Sequence, residues 1–228
     1  MCGKGGFRFL LIGPPGSGKG TYSERLARRF EVPHIATGDM LREAVESGTE
    51  MGKIVEGYLD RGELVPDELI IKVVEQRLLR PDARKGFSLD GFPRTLPQAK
   101  MLDELMTKMG WDFDYIFFVW ADREEIIERT VNRVQCEDCG EVYNLKNNPP
   151  KEPGVCDQCG GKVIKREDDT EEMILHRFKV YDEKTAPMVD HYSSHPNFYS
   201  VNTGGPVGRA EKKMLELIKE NEENCGRT

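Results

Sequence analysis

The sequence predicts an α/β fold in which helices alternate with the strands of a parallel sheet, and two stretches carry that prediction. The stretch from Phe7 to Thr21, FRFLLIGPPGSGKGT, joins a short apolar run to a glycine-rich turn and then to the start of a helix. The stretch from Tyr115 to Trp120 is almost continuously apolar, which is typical of a strand covered on both faces. At 228 residues with 38% hydrophobic content, the chain is long enough to form one domain with insertions.

The glycine-rich turn after the first strand predicts a loop that binds phosphate groups. Four glycines let its backbone approach an anion closely: Gly13, Gly16, Gly18 and Gly20. Backbone N–H groups, the N-terminus of the following helix and the Lys19 ammonium would then all point at that anion. Gly20 follows Lys19, where a Ser or Thr usually holds magnesium, so we expect waters and carboxylates elsewhere to hold that ion.

A helix over residues 19–30, a short strand over 34–36 and a second helix that begins at Thr37 are predicted next. Pro33 ends the first helix because proline cannot continue it. Arg42 lies one turn inside the second helix, near the place where a second anion would meet the helix N-terminus. Taken alone, Arg42 is more typical of a solvated surface charge than of a binding residue.

Residues 49–61 carry apolar side chains at helical spacing, and Asp67 lies in the first turn of another predicted helix. The region 37–66 is therefore interpreted as an inserted flap. Residues 86–89 predict a strand that ends at Asp90, followed by a helix from about Pro97 to Met109. Ligands bind at the carboxyl edge of such sheets, so Asp90 is placed to hold a water of hydrated magnesium, although an ordinary turn carboxylate would fit as well.

A helix is predicted over residues 122–133, on which Arg129 and Arg133 would share a face with an anion between them. Residues 134–169 then break the alternation of strands and helices. The pattern resumes with a helix over 168–192, a strand over 198–201 and a closing helix over 206–219.

Four of the six cysteines form two Cys-x2-Cys pairs, with sixteen residues between Cys139 and Cys156: Cys136, Cys139, Cys156 and Cys159. Such paired knuckles predict a tetrahedral thiolate site, most simply for zinc, although cobalt or iron would also fit. A site with four protein ligands has no open position for a substrate, so the predicted ion is structural. Cys2 and Cys225 have no spacing partner and receive no role.

The formal net charge of −7 disfavours general binding to nucleic acids or membranes. The sequence has no basic-then-apolar leader and no uncharged apolar run near the ~20 residues of a spanning helix. We therefore expect a cytoplasmic protein with a small anionic ligand.

A series of motifs in order, GPPGSGKGT, ATGDMLR, LDGFPRT-x2-Q, ERTVNR, the four-cysteine insert, KREDD and YDEKTAP, resembles the adenylate kinases of the long-lid type. The resemblance implies a P-loop kinase core with a five-stranded parallel sheet, helices on both faces, an AMP-binding flap and a metal-binding lid. The implied division is a core of residues 1–36, 67–132 and 170–228, an AMP-binding domain of 37–66 and a lid of 133–169. The implied reaction is reversible phosphoryl transfer from Mg-ATP to AMP, giving two ADP, by a monomer.

The resemblance also implies roles for single residues. The implied catalytic residues are Lys19, Asp90, Arg94, Arg133, Arg166 and Arg177. ATP would be bound by Gly16, Ser17, Gly18, Lys19, Gly20, Thr21, Arg129, Arg133 and Val207, with Arg129 stacked on the adenine. AMP would be bound by Thr37, Arg42, Glu63, Val65, Gly91, Arg94, Gln98, Arg166 and Arg177.

Thr37 and Gln98 match positions that favour an adenine base, since Gln offers both a donor and an acceptor. Two alternatives remain: another nucleoside monophosphate kinase, or a zinc-ribbon protein that binds nucleic acid and uses the phosphate loop as a regulatory site. A nucleic-acid-binding ribbon should be basic with exposed aromatics. Residues 136–159 instead hold five acids, two bases and Tyr143 as the only aromatic, which weighs against the ribbon.

Overall fold

The computed structural model describes residues 6–166, 168–206 and 208–225. The strands of this part of the chain are β1 (Arg8–Ile12), β2 (His34–Ala36), β3 (Phe87–Asp90), β4 (Tyr115–Trp120), β5 (Arg133–Cys136), β6 (Val142–Asn144), β7 (Val163–Ile164) and β8 (Phe198–Asn202). The helices are α1 (Lys19–Arg29), α2 (Thr37–Glu46), α3 (Glu50–Asp60), α4 (Asp67–Leu78), α5 (Leu96–Met109), α6 (Arg123–Val131), α7 (Glu171–Val180), α8 (Ala186–Ser193) and α9 (Arg209–Cys225).

Five strands form one parallel sheet in the order β2-β3-β1-β4-β8. Leu11 of β1 pairs with Asp90 of β3, and Ile12 pairs with Phe118 of β4. The loops that follow these strands therefore leave the sheet at the same edge, where ligands of parallel α/β sheets bind.

Helices cover both faces of this sheet because β1 alternates its apolar side chains between them. Leu10 and Ile12 belong to a core formed with α4, α5 and α8. Phe9 and Leu11 belong to a second core formed with α1 and α9. The predicted α/β class with a five-stranded parallel sheet is confirmed.

Helices α2 and α3 follow β2 and pack tightly against each other. Thr49 caps α3 by accepting a hydrogen bond from Gly52 N at 3.0 Å. A side chain at Gly52 would collide with the carbonyl of Ala44, so this glycine permits the close approach of the two helices.

Strands β5, β6 and β7 form a separate antiparallel sheet in the order β6-β5-β7. Its buried cluster is small and contains Val134, Tyr143, Cys136 and Cys156. Such a segment has little apolar core of its own, which is the situation in which a bound metal or a disulfide commonly adds stability.

Two predicted helices differ from the helices of the structure. Helix α6 ends at Val131, Asn132 has a non-helical φ of −99°, and Arg133 begins β5. The prediction that Arg129 and Arg133 share one helix face is therefore wrong.

The helix predicted over 168–192 begins only at Glu171. It is interrupted by a π-helical turn, Tyr181–Thr185, because Pro187 lacks the N–H that a regular helix needs. None of the helices in the described ranges is long and apolar enough to cross a membrane.

Candidate active site

The loop between β1 and α1 curls around its own lysine. Gly16 and Gly18 have φ values of +74° and +92°, which L side chains rarely adopt. A side chain at Gly13 would collide with the carbonyl oxygen of Val119, so the loop passes close to the end of β4. Lys19 Nζ donates hydrogen bonds to the Gly13 and Pro14 carbonyls at 2.9 and 2.8 Å, and its ammonium therefore lies inside the loop.

Ser17 is fully buried at the base of this loop. Its Oγ has no hydrogen-bond partner among the described residues. Thr203, after β8, donates from Oγ1 to the Ser17 carbonyl at 2.8 Å and also lies 3.1 Å from the Trp120 carbonyl. Thr203 thus joins the phosphate loop to the ends of β4 and β8, a contact that no sequence motif indicates.

The pKa of Lys19 is lowered to about 8. Burial is the main cause; the Asp90 carboxylate opposes it, and the charges of Arg94 and Arg133 lower the pKa further. Lys19 lies in α1, and the three side chains that influence its ammonium come from β3, the loop after β3 and β5. The fold therefore brings together charges that are far apart in the sequence.

Asp90 ends β3 and points towards the first turn of α1. A Cβ at Gly20 would lie 3.2 Å from Asp90 Oδ2, so a glycine there leaves room for the carboxylate. Asp90 Oδ1 is buried and lacks a hydrogen-bond partner within the described chain. A buried carboxylate oxygen with free acceptor capacity fits a water of hydrated magnesium. Thr21 lies half-buried in the same helical turn.

Arg94, Gly91 and Thr37 converge beside Asp90. Arg94 Nε donates to the Gly91 carbonyl at 2.7 Å, and Thr37 Oγ1 donates to the Asp90 carbonyl at 3.3 Å. Burial lowers the pKa of Arg94; Asp90 raises it, and the charges of Arg177 and Arg42 lower it further. Arg42 itself pairs with Asp39 on the same turn of α2.

Gln98 is buried in the first turn of α5. Its amide accepts from Arg94 N at 2.7 Å and donates to Asp67 Oδ1 at 2.7 Å. Val65 is buried just before α4, whereas Glu63 is exposed and accepts from Arg61 Nη2 at 3.0 Å. The sequence predicts Asp67 only as a helix start, whereas the structure places it against the buried Gln98 amide.

The three remaining arginines predicted to be catalytic each have an acidic or amide partner. Arg133 Nε donates to Asp169 Oδ2 at 2.7 Å, with a second bond to the other oxygen, and Arg177 pairs with Asp168. Arg166 Nε donates to Gln135 Oε1 at 2.5 Å. Both aspartates belong to the KREDD motif, in which the sequence predicts a role for Arg166 but for neither aspartate.

Electrostatics connects these arginines with the residues around Lys19. The pKa of Arg166 is lowered to about 10 by burial and by the charges of Arg133 and Arg42. Burial would raise the pKa of Asp168, but Arg177 and then Arg166 outweigh burial and lower it. Cations that destabilise each other's charged form define a site in which a polyanion would be stabilised.

Arg129 lies near the end of α6 and reaches the loop after β8. Its Nη2 donates to Glu125 Oε1 at 2.6 Å and to the Thr203 carbonyl at 2.8 Å. Glu125 Oε1 also accepts from Gly205 N at 2.9 Å. The position predicted two residues further along this loop, Val207, lies outside the described residues.

The four predicted metal ligands come together at the end of the small antiparallel sheet. Their sulfur atoms all lie within 4.8 Å of one another, and the pairs Cys136–Cys159 and Cys139–Cys156 are 3.5 Å apart. A zinc–sulfur bond of about 2.3 Å gives a tetrahedral edge of roughly 3.8 Å, whereas a disulfide has about 2.05 Å. The thiols therefore suit a tetrahedral ion, and Tyr143 OH lies 3.3 Å from Cys156 Sγ.

Comparison with known proteins identifies the family. A sequence model described as adenylate kinase matches residues 11–197. The adenylate kinase of Thermosipho africanus is 48% identical over 92% of this chain and 98% of its own length. That of Archaeoglobus fulgidus is 47% identical over 92% and 98%, and that of Finegoldia magna is 44% identical over 93% and 99%.

The chain belongs to the adenylate kinase family. It is a phosphotransferase that moves a phosphoryl group reversibly between ATP and AMP, as the motifs predicted. The family's substrates are the nucleotides ATP, AMP and ADP, with ATP as its magnesium complex. The comparisons give no support to a zinc-ribbon protein that binds nucleic acid.

Proposed function

We propose that the phosphate loop and Lys19 hold the ATP phosphates in this enzyme. The loop's backbone N–H groups at Gly16, Ser17, Gly18, Gly20 and Thr21 would face the oxygens, together with the positive end of α1. The Lys19 ammonium would move from the loop carbonyls to the phosphates, which are stronger acceptors.

The adenine of ATP would stack on the Arg129 guanidinium, beside the loop after β8. The contacts of Arg129 with Glu125 and the Thr203 carbonyl hold its guanidinium at this loop. A planar, delocalised cation can stack on a purine ring in a way that an ammonium cannot.

AMP would bind between the flap and the core. Arg42 and Arg94 would hold its phosphate. The hydrogen bond from Arg94 Nε to the Gly91 carbonyl holds that guanidinium in place. The base would lie against Thr37, Gly91 and Gln98, with Glu63 and Val65 at the entrance. Thr37 and Gln98 would favour adenine through hydrogen bonds.

Arg133, Arg166 and Arg177 would complete the ring of charge around the transferring phosphoryl group. Phosphoryl transfer needs no protein nucleophile, so fixed cations around the oxygens and the alignment of both nucleotides supply the catalysis. The observation that carries this proposal is that Lys19 Nζ lies inside the glycine loop, bonded to the Gly13 and Pro14 carbonyls, where the charges of Arg94 and Arg133 oppose its own. A bound polyphosphate would relieve that repulsion.

Magnesium would neutralise charge on the phosphate oxygens when it arrives with ATP. Asp90 is the residue that would hold its waters, since Oδ1 is buried and has spare acceptor capacity in the described structure. Gly20 leaves the space that this carboxylate needs.

We further propose that residues 37–66 act as the AMP-binding domain and 133–169 as a lid on a core of 1–36, 67–132 and 170–228. The four cysteines would hold zinc as a structural ion, because four thiolates leave no position open for a substrate. The net charge of −7 disfavours nucleic-acid and membrane partners, and the family resemblance implies a cytoplasmic monomer.

A coupled assay for ADP with AMP, CMP and UMP as acceptors tests the substrate assignment. AMP should have a kcat/KM far above those of CMP and UMP, and single-stranded RNA should give no shift in a gel at the same protein concentration. Comparable values for AMP and CMP would assign the chain to a different acceptor, and tight RNA binding would favour the ribbon alternative.

A further inference from the structure

The side-chain amide of Gln98 is held at both ends by other parts of the protein. Its Oε1 accepts from the backbone N of Arg94 at 2.7 Å, and its Nε2 donates to Asp67 Oδ1 at 2.7 Å. Only 2% of Gln98 is exposed. A buried amide with two short hydrogen bonds cannot rotate freely, so its orientation is set by these two partners.

Asp67 reaches this amide from the first turn of α4, which follows the flap of residues 37–66. An ionised carboxylate only accepts hydrogen bonds, so the NH₂ of Gln98 must face it. Thr95 Oγ1 lies 3.4 Å from both Asp67 oxygens and, through the same hydroxyl, caps the helix that carries Gln98. Reversing the amide would place two oxygens together at Asp67 and two N–H groups together at Arg94.

A cleft of about 300 Å³ lies beside this arrangement, and Val65, Asp67 and Thr95 line it. The cleft separates the end of the flap from the core.

We propose that Asp67 is a positioning residue that fixes the orientation of the Gln98 amide and thereby selects a 6-amino over a 6-oxo purine as the acceptor base. This inference rests on the proposed contact of Gln98 with that base. Adenine presents an amino donor next to a ring-nitrogen acceptor, and hypoxanthine presents the reverse order. A fixed amide can match only one of the two, whereas an amide that is free to reverse can match both.

The test compares kcat/KM for AMP and for inosine monophosphate in the wild type, Asp67→Asn and Asp67→Ala. The ratio should fall roughly tenfold in the variants, because a charge-assisted bond is replaced by a neutral one or by none, while Arg94 N still holds the other end. The change should arise in KM for the acceptor, with KM for ATP unchanged. Glu68→Gln is the matched control, since it removes an exposed acid from the same helical turn.

An unchanged ratio in whichever Asp67 variant is folded by circular dichroism would overturn the inference. So would an equal fall in Glu68→Gln, because the effect would then come from the charge at the helix start. Gln98→Ala distinguishes the positioning role of Asp67 from the base contact of Gln98. If Gln98→Ala lowers the ratio and the Asp67 variants do not, only the positioning role fails; if Gln98→Ala also leaves AMP recognition unchanged, the proposed role of Gln98 fails with it.

Discussion

Replacing Asp169 with Asn should destabilise the root of the lid by about 2 kcal/mol. Asp169 is fully buried and receives two hydrogen bonds from Arg133, whose side chain is 25% exposed. Removing one partner of a buried ion pair costs about 3–5 kcal/mol. Asn can still accept one bond and Arg133 can regain some water, which reduces the expected cost. For a chain of this size, about 2 kcal/mol corresponds to a fall in Tm of roughly 4–8 °C.

Thermal and urea unfolding followed by circular dichroism measure this effect. Asp168→Asn is the matched control, because Asp168 pairs with Arg177 while 35% of its side chain is exposed. A partly exposed pair contributes about 1 kcal/mol or less. The double variant Arg133→Gln/Asp169→Asn should lose less stability than the two single losses added together. An Asp169→Asn variant no less stable than Asp168→Asn, or strict additivity, would show that the buried ion pair does not stabilise the root of the lid.

Three further predictions concern the charge of Lys19, the loop contact of Thr203 and the metal. Because the pKa of Lys19 is lowered to about 8, the free enzyme loses this charge as the pH rises through that value. Affinity for ATP should then fall by up to about tenfold per pH unit between pH 8 and 10, and a flat profile in equilibrium titrations would contradict this. Thr203→Val removes the bond to the Ser17 carbonyl and should raise Kd for ATP about fivefold, whereas Thr203→Ser should restore it. Cys136→Ser/Cys156→Ser should lower Tm clearly but change turnover at low temperature far less than Arg133→Ala does. A loss of several orders of magnitude in turnover with the fold intact would show that the metal is catalytic.

The strands and the phosphate loop could be predicted from the sequence because their signals are local. Residues 34–36 form β2 as predicted, and the apolar run at 115–120 is the interior strand β4. The end of α6 could not be predicted in the same way. Asn132 closes that helix by donating from Nδ2 to the Glu128 carbonyl, and Arg133 then joins a sheet whose other strands lie further along the chain.

The cations of the site could be predicted more completely than the groups that hold them. Motifs point to Lys19 and Arg94, but the partners of such residues are set by tertiary contacts. Asp67 meets Gln98 across 31 residues, and Thr203 meets Ser17 across 186. No periodicity or spacing carries information over such distances, so these contacts emerge only from the folded chain.

The most direct test of the account is the turnover of Lys19→Ala and Arg94→Ala in a coupled assay for ADP from Mg-ATP and AMP. Fixed cations around the transferring group are proposed to supply the catalysis. Each variant should therefore keep its fold and Tm while losing about 3 kcal/mol or more of transition-state stabilisation, or at least a hundredfold in kcat/KM. Turnover within tenfold of the wild type in both folded variants would contradict the account.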